Sequence, residues 1–156
     1  LGNVMKSKFY ESLNRQALAL LEGEDDLVAA MANFSALLND NLTELNWVGF
    51  YVMRGEQLVL GPFQGKVACT RIPLGKGVCG TAAFANQTQR VADVHQFDGH
   101  IACDSASNSE IVVPVRAQGN VVAVLDIDSP IFDRFDEEDQ KGLELLVKSF
   151  ENCLFD

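Results

Sequence analysis

A tight turn between two apolar segments decides the fold class of this chain. Residues 110–128 read EIVVPVRAQGNVVAVLDID, and the short turn Ala117-Gln118-Gly119 separates the two halves. Apolar, β-branched segments joined by so short a turn are typical of a hairpin, and tight turns join antiparallel neighbours. We therefore predict two antiparallel strands, Glu110–Arg116 and Asn120–Ile127.

The segments before and after this hairpin predict further strands and helices. Strands are expected at Asn46–Met53, Gln57–Leu60, Lys66–Ile72 and Arg90–Ala92, and helices at Lys6–Leu21, from Asp25 or Asp26 onward, at Thr81–Asn86 and at Phe135–Phe150. The expected buried stripe of the first helix is Phe9, Leu13, Ala17 and Leu20. These elements predict an α+β fold in which helices pack against one antiparallel sheet.

The composition is that of an ordinary globular domain with an acidic surface. The 156 residues are 47% hydrophobic, and 12 basic against 22 acidic residues give a formal net charge of −10. Such a charge disfavours nucleic-acid binding, and no apolar run approaches the ~20 residues that cross a bilayer. The N-terminus also lacks the pattern of a signal peptide. We expect one cytoplasmic domain over residues 5–156 without a membrane or nucleic-acid partner, and residues 1–4 as an addition before a native start at Met5.

Aromatic residues are expected to line a small cleft. Trp47, Gly49 and Tyr51 share one face of the strand Asn46–Met53, because side chains alternate along a strand. Two amphipathic rings beside a glycine can form an apolar pocket with polar rims. Ordinary core packing is the alternative explanation of this face.

Three carboxyl groups are expected beside that cleft. If the second hairpin strand stays regular, Val122, Val124, Asp126 and Asp128 share one face, and the two carboxylates lie ~7 Å apart. Glu110 begins the neighbouring strand, so pairing of the two strands brings all three acids together. Such a cluster is costly unless a cation, a proton or backbone donors compensate. Turn capping is the alternative role of Asp128.

Three of the four cysteines have surroundings that favour chemistry. In a reducing cytosol, cysteines in a domain of this size indicate redox chemistry or metal binding more than scaffold disulfides. Cys103 lies in the long loop Asp93–Ser109, and Cys69 is expected on the third predicted strand. Cys79 lies between glycines near a predicted helix N-terminus, which would lower its pKa. Cys153 is expected to be structural.

A zinc site competes with redox chemistry as an explanation. Cys69, Cys79 and Cys103 could bind zinc together with His95 or His100. Their spacing lacks the close cysteine pair of structural zinc sites. We therefore expect no metal and no cofactor, and we expect both histidines to organise the loop.

Several stretches resemble the free methionine-(R)-sulfoxide reductase family. They read NWVGFY at 46–51, LGPFQGKVAC at 60–69, GVCGTA at 77–82, DVH at 93–95, FDGHIACDSASNSEIV at 97–112 and VLDIDS at 124–129. The resemblance extends from about Phe9 to Phe150, and the loop around Cys103 is its most specific part.

The resemblance implies a GAF-like domain, an antiparallel sheet flanked by helices, that acts as an oxidoreductase. It would reduce free L-methionine-(R)-sulfoxide to methionine, with thioredoxin as the reductant. Cys103 would be the nucleophile, Cys69 the main resolving cysteine and Cys79 an auxiliary one. A sulfenic acid on Cys103 would condense with Cys69 to a disulfide that an external dithiol can exchange. The implied substrate pocket comprises Trp47, Tyr51, Glu110, Asp126 and Asp128.

The acidic residues explain why the substrate would be a free amino acid. They can accept hydrogen bonds and charge from an α-ammonium group, which a peptide-bound residue lacks. Buried charge left without its partner would cost on the order of a 100-fold in binding. One acid could stay protonated and donate to the sulfoxide oxygen, and backbone N–H groups of the Cys103 loop are expected to bind the α-carboxylate.

Two alternatives stay open at this point. The chain could be a GAF-type module that senses a small molecule without catalysis. It could also form a homodimer, as domains of this kind often do.

Overall fold

A six-stranded antiparallel sheet organises the computed structural model, which describes residues 3–101, 103 and 105–156. The helices are α1 (Asn3–Leu21), α2 (Leu27–Asn41), α3 (Gly77–Ala85) and α4 (Glu137–Phe155), and a 3₁₀ helix covers Val94–Gln96. The strands are β1 (Trp47–Arg54), β2 (Gln57–Gly65), β3 (Arg71–Pro73), β4 (Gln89–Val91), β5 (Ser109–Ala117) and β6 (Asn120–Ser129). The predicted addition, residues 1–4, lies partly outside the described residues. No described helix combines the length and the apolar character that a membrane span requires.

The predicted hairpin forms two of the four inner strands of the sheet. The strand order is β3-β2-β1-β6-β5-β4, and β5 pairs with β6 from Ser109 opposite Ser129 to Ala117 opposite Asn120. Gln118 and Gly119 at the turn both have positive φ angles, 52° and 82°, as the tight turns that join twisted strands require. The α+β fold with an antiparallel sheet and flanking helices is therefore confirmed.

Helices cover both faces of the sheet, and the two faces have separate cores. One core, the helix-covered core, lies between the sheet and α1, α2 and α4. Within it, the Phe34 ring lies 5.8 Å from Phe50 and 5.2 Å from Phe150 between ring centroids. The other core lies under α3 and includes Trp47 and Tyr51. β1 separates the two as its alternation predicts, because Val48 and Phe50 belong to the first core.

The predicted buried face of α1 is wrong at two positions. Tyr10 and Leu21 are buried with Leu13 and Ala17, whereas Phe9 and Leu20 are 37% and 40% exposed. The reason is a long-range contact, since the Tyr10 hydroxyl donates a hydrogen bond of 2.7 Å to the buried Asp139 of α4. Two overlapping sets of apolar residues in α1 could face the core. This bond and the packing against α4 determine which set is buried.

The helix starts that depend on side-chain caps agree with the sequence. Asp26 caps α2 by accepting from the backbone N–H of Ala29, and Asp136 forms a reciprocal capping box with Asp139 at the start of α4. The acidic start of the last helix is thereby structural.

Two boundaries around residues 66–86 differ from the prediction. The strand expected at Lys66–Ile72 is a loop through residue 70, and only Arg71–Pro73 pairs with β2. The helix expected from Thr81 begins at Gly77, whose φ angle is 63°. Both changes follow from contacts with the rest of the domain that a local pattern does not contain.

We expect the substitution Phe34→Ala to lower the free energy of unfolding by about 3–5 kcal/mol, because it empties the centre of the helix-covered core. Phe84→Ala is the matched control, since Phe84 is 72% exposed, and its effect should stay within about 0.5 kcal/mol. Urea denaturation of both variants, held in the same redox state, measures the difference. Equal losses would contradict this description of the core.

Candidate active site

Three adjacent strands bring the predicted aromatic and acidic residues to one cavity. In the β1–β6 pair Trp47 lies opposite Asp128, and in the β5–β6 pair Glu110 lies opposite the same aspartate. The cavity encloses about 490 Å³ between its walls, part of it open to solvent. Seven of the eight predicted site residues line it: Trp47, Tyr51, Cys79, Cys103, Glu110, Asp126 and Asp128.

The predicted face of β6 is correct for Val124, Asp126 and Asp128 and wrong for Val122. The pairing of β5 with β6 shifts register next to Val122, because Val115 lies opposite Ala123 and Arg116 opposite Val121. Val122 therefore packs against the helix-covered core, while Val124 lies under the cavity. The irregularity leaves Asp126 and Asp128 on the expected face.

The two aromatic residues form a stacked wall with polar edges. The Trp47 ring lies 5.8 Å from Tyr51 and 5.1 Å from Phe63 between centroids. Trp47 Nε1 donates to the carbonyl of Lys66 at 3.2 Å, and the Tyr51 hydroxyl donates to that of Cys69 at 2.9 Å. The wall thereby holds the loop that carries Cys69.

The three carboxyl groups are buried together. Glu110, Asp126 and Asp128 are 7%, 5% and 9% exposed. Burial and the two neighbouring aspartates raise the pKa of Glu110 well above its ordinary value, and burial also raises the pKa of Asp126. The Oδ1 atom of Asp126 is buried and accepts no hydrogen bond from the described residues. Burial and crowding therefore favour a protonated carboxyl group within the cluster, and its oxygens can accept bonds from a cation or another donor.

Cys69 and Cys103 are joined by a disulfide bond. Their Cα atoms lie 5.4 Å apart, and 34 positions separate them in sequence. Cys103 lines the cavity and its backbone N–H bonds to the carbonyl of Ile101 at 3.2 Å. Cys69 is not part of the cavity wall. It lies in the loop between β2 and β3, so the prediction that it lies on a strand is wrong.

The environment of Cys79 differs from the prediction. Cys79 lies in the first turn of α3, but it is only 4% exposed and faces the acidic cluster. Burial, followed by the charges of Asp126 and Glu110, raises the pKa of its thiol well above the ordinary value. The lowered pKa that we expected is therefore wrong, because burial and nearby acids outweigh the helix N-terminus.

The predicted zinc ligands do not form a common site in this oxidised form. The disulfide joins Cys69 to Cys103, and His95 Nε2 is bonded to Asn108 Oδ1 at 2.8 Å. Within the described residues, a different set could hold a metal ion: donor atoms of Cys79, Glu110 and Asp126 lie within 4.8 Å of one another. These three side chains belong to the acidic cluster.

His100 lines the cavity, although we expected it only to organise the loop. It lines the cavity with its neighbour Ile101, whereas His95 does organise the loop. Burial, together with the nearby His95, lowers the pKa of His100. Its place three residues before Cys103 is the signal that could have identified it. Cys153, by contrast, packs against the helix-covered core.

Comparisons with known proteins agree with the fold and the cavity. The GAF-domain family matches residues 23–154. The chain is 57% identical to the free methionine-R-sulfoxide reductase of Escherichia coli, over 96% of this chain and 90% of that protein. The structure of fRMsr of Staphylococcus aureus in complex with substrate aligns with a TM-score of 0.90 and 56% identity, over 93% of this chain and 95% of that one. That of free methionine-R-sulfoxide reductase from Neisseria meningitidis, in complex with its substrate, aligns with a TM-score of 0.91 and 43% identity, over 95% and 89%.

Fold and sequence match define this chain as a GAF-domain protein. Within that class, the chain belongs to the free methionine-R-sulfoxide reductase family. It is therefore an oxidoreductase, as the resemblance implied.

We expect Glu110→Gln to raise the free energy of unfolding near neutral pH. Because the pKa of Glu110 is higher in the folded than in the unfolded chain, folding takes up a proton, and stability falls as pH rises between the two values. Glutamine keeps the shape and has no proton to lose. The gain should be largest near about pH 8 and shrink toward about pH 5.

Urea denaturation of the oxidised protein at both pH values measures this effect. Glu22→Gln, at an exposed position, is the control and should change stability little at either pH. A loss of stability in Glu110→Gln at the higher pH would contradict the buried, protonated cluster.

Proposed function

We propose that this chain reduces free methionine-(R)-sulfoxide to methionine, with Cys103 as the nucleophile and Cys69 as the resolving cysteine. The observation that carries the proposal is the convergence of Cys103 with a buried acidic cluster and an aromatic wall on one cavity. The disulfide between Cys103 and Cys69 supports the assignment of the pair. The names of the relatives in Escherichia coli and Neisseria meningitidis support the substrate.

The first step transfers oxygen from the substrate to Cys103. The Cys103 thiolate attacks the sulfoxide sulfur, which becomes electrophilic when its oxygen receives a proton. The S–O bond of the substrate breaks, and the oxygen ends on the Cys103 sulfur as a sulfenic acid. Two electrons thereby pass from the thiol to the substrate, and methionine leaves.

The second step forms the disulfide. The Cys69 thiolate attacks the sulfenic sulfur, the S–OH bond breaks, and water leaves with the proton that the oxygen takes up. The disulfide between the two cysteines, with its Cα separation of 5.4 Å, supports this step. A dithiol protein then returns both cysteines to thiols, and we propose thioredoxin for this role.

Glu110 is the proposed proton donor to the sulfoxide oxygen. It is buried, and the neighbouring carboxylates hold its pKa well above the ordinary value, which favours the protonated acid over the carboxylate. The two aspartates of β6 then remain for the α-ammonium group, and the Oδ1 atom of Asp126 is buried with capacity to accept a bond. One cluster thus supplies both a donor and acceptors.

The remaining groups of the substrate match other walls of the cavity. The stacked rings of Trp47 and Tyr51 offer apolar contact to the S-methyl group. For the α-carboxylate, we propose backbone N–H groups in the first turn of α3 instead of those expected in the Cys103 loop. Val78 and Cys79 line the cavity there, and no side chain caps that helix. The N–H of Cys103 is already bonded to Ile101.

Cys79 suits only the auxiliary role. Its sulfur faces the same cavity as Cys103, which allows exchange with that cysteine after a rearrangement. Burial and nearby acids keep it a thiol, so it attacks a sulfenic acid or disulfide more slowly than an exposed thiolate would. A reducing cytoplasm is the compartment in which we propose the cycle of Cys69 and Cys103 to run.

We expect turnover of free methionine-(R)-sulfoxide and little turnover of the peptide-bound form, because a peptide has no α-ammonium group for the acids. NADPH oxidation in a coupled thioredoxin and thioredoxin reductase assay measures both rates. Cys103→Ser should abolish turnover, and the matched control Cys153→Ser should keep the wild-type rate. Equal rates on both substrates, or an active Cys103→Ser variant, would refute the proposal, and binding of a small molecule without turnover would favour the sensor alternative.

We expect Asp126→Asn to lower kcat/KM for the free amino acid by about 100-fold, because it removes charge from the proposed ammonium site. Its free energy of unfolding should not fall, since asparagine keeps the shape of the buried side chain and lessens the crowding of acids. Asp40→Asn on the exposed side of α2 is the control. A well-folded Asp126→Asn variant with wild-type kinetics would remove Asp126 from the site.

A further inference from the structure

The charge of the chain is unevenly distributed around the disulfide. Residues 57–92 contain four basic residues and no acidic one, although the chain as a whole carries a net charge of −10. The basic residues are Lys66, Arg71, Lys76 and Arg90. The first three are exposed, and none of them forms an ion pair with a described residue.

These three residues flank the two bonded cysteines. Lys66 lies three residues before Cys69, and Arg71 lies two residues after it. Lys76 precedes the start of α3, where the N–H of Gly77 bonds to the carbonyl of Gly99 at 3.2 Å in the loop that leads to Cys103. Exposed positive charges therefore flank Cys69 in sequence, and a third lies next to the backbone contact with the loop that leads to Cys103.

An exposed apolar side chain lies in sequence between the first two of these basic residues, Lys66 and Arg71. Val67, two residues before Cys69, is 89% exposed, the highest value among the exposed large hydrophobic residues of the described chain. Neither the sheet nor the loop uses it for packing. A small apolar contact surrounded by charges of one sign is typical of a transient protein interface.

We propose that residues 64–76 are the docking surface for an acidic dithiol protein, which attacks the sulfur of Cys69 and leaves Cys103 as the departing thiolate. This inference rests on the proposed function and names the surface through which the disulfide is reduced. Cys69 is favoured over Cys103 because Cys103 lines the substrate cavity, whereas the half-buried Cys69 is outside its wall, between exposed residues of the loop. The basic residues would attract a partner that the rest of this acidic protein repels.

The exchange balances in two transfers. A thiolate of the partner attacks Cys69, the bond to Cys103 breaks, and Cys103 leaves with the electron pair into the cavity where the next substrate binds. The second thiolate of the partner then attacks the mixed disulfide and releases Cys69. The partner ends as a disulfide, and this chain regains two thiols.

The charge of the surface is tested with the double variant Lys66→Glu/Arg71→Glu. With an acidic thioredoxin as reductant, its kcat/KM for thioredoxin should fall at least tenfold. The wild-type kcat/KM should decrease with added salt, and this decrease should disappear in the double variant. Turnover supported by dithiothreitol should stay within twofold of the wild type. The matched control Lys8→Glu/Arg15→Glu, which changes the net charge equally on α1, should keep wild-type values with both reductants.

Unchanged thioredoxin kinetics in Lys66→Glu/Arg71→Glu would overturn the docking surface while leaving the proposed reaction intact. Loss of turnover with dithiothreitol in the wild type would instead overturn the proposed function itself. Val67→Asp should weaken thioredoxin-supported turnover in the same way, and Val28→Asp, at another exposed valine, should not.

The attacked sulfur is identified by trapping. The oxidised protein is mixed with thioredoxin whose second cysteine is serine, quenched with acid, alkylated and digested with trypsin. The sequence places Cys69 in the peptide Val67–Arg71 and Cys103 in the peptide Val91–Arg116, so mass spectrometry distinguishes them. We expect thioredoxin on the first peptide, and thioredoxin on the second would overturn the inference.

Discussion

Three carboxyl groups buried together at the ends of β5 and β6 are the constraint on which the site depends. Neighbouring ionised carboxylates repel one another, and burial removes the water that would screen them. Protonation relieves this cost: burial and the charges of the two aspartates raise the pKa of Glu110, and burial raises the pKa of Asp126. Burial, followed by the charges of this cluster, raises the pKa values of the Cys79 thiol and the Tyr51 hydroxyl. A cavity with this charge favours a ligand that brings a cation and accepts a proton.

The sheet separates this strained site from the residues that stabilise the fold. On one face, α1, α2 and α4 cover a dry core around Phe34 and Phe150, and their ends are fixed by caps and by the bond from Tyr10 to Asp139. On the other face, α3 and the loops leave a cavity with an aromatic wall, an acidic cluster and the disulfide-bonded Cys103. Because the stabilising contacts lie on the opposite side, the cavity can hold an unfavourable cluster of acids without loss of the fold.

The disulfide connects this interior chemistry to the surface. Cys103 belongs to the cavity wall, and Cys69 belongs to a loop held by the polar edges of Trp47 and Tyr51. In the proposed cycle, the bond between them transfers oxidising equivalents from the cavity to this loop. The outward side of that segment is basic, in contrast to the rest of the chain.

The sequence by itself determined the elements whose causes are local. The hairpin around Gln118 and Gly119, the cap at Asp26 and the faces of β1 follow from turn chemistry, capping and the alternation of side chains, so a single segment contains the cause of each. The meeting of Glu110 with Asp126 and Asp128 also followed, because one hairpin carries all three. Only the tertiary structure decided which stripe of α1 is buried, that residues 66–70 form a loop, and that the thiol of Cys79 is hard to ionise. Each of these depends on neighbours distant in the chain, Asp139 for α1 and the acidic cluster for Cys79, and no local pattern records such contacts.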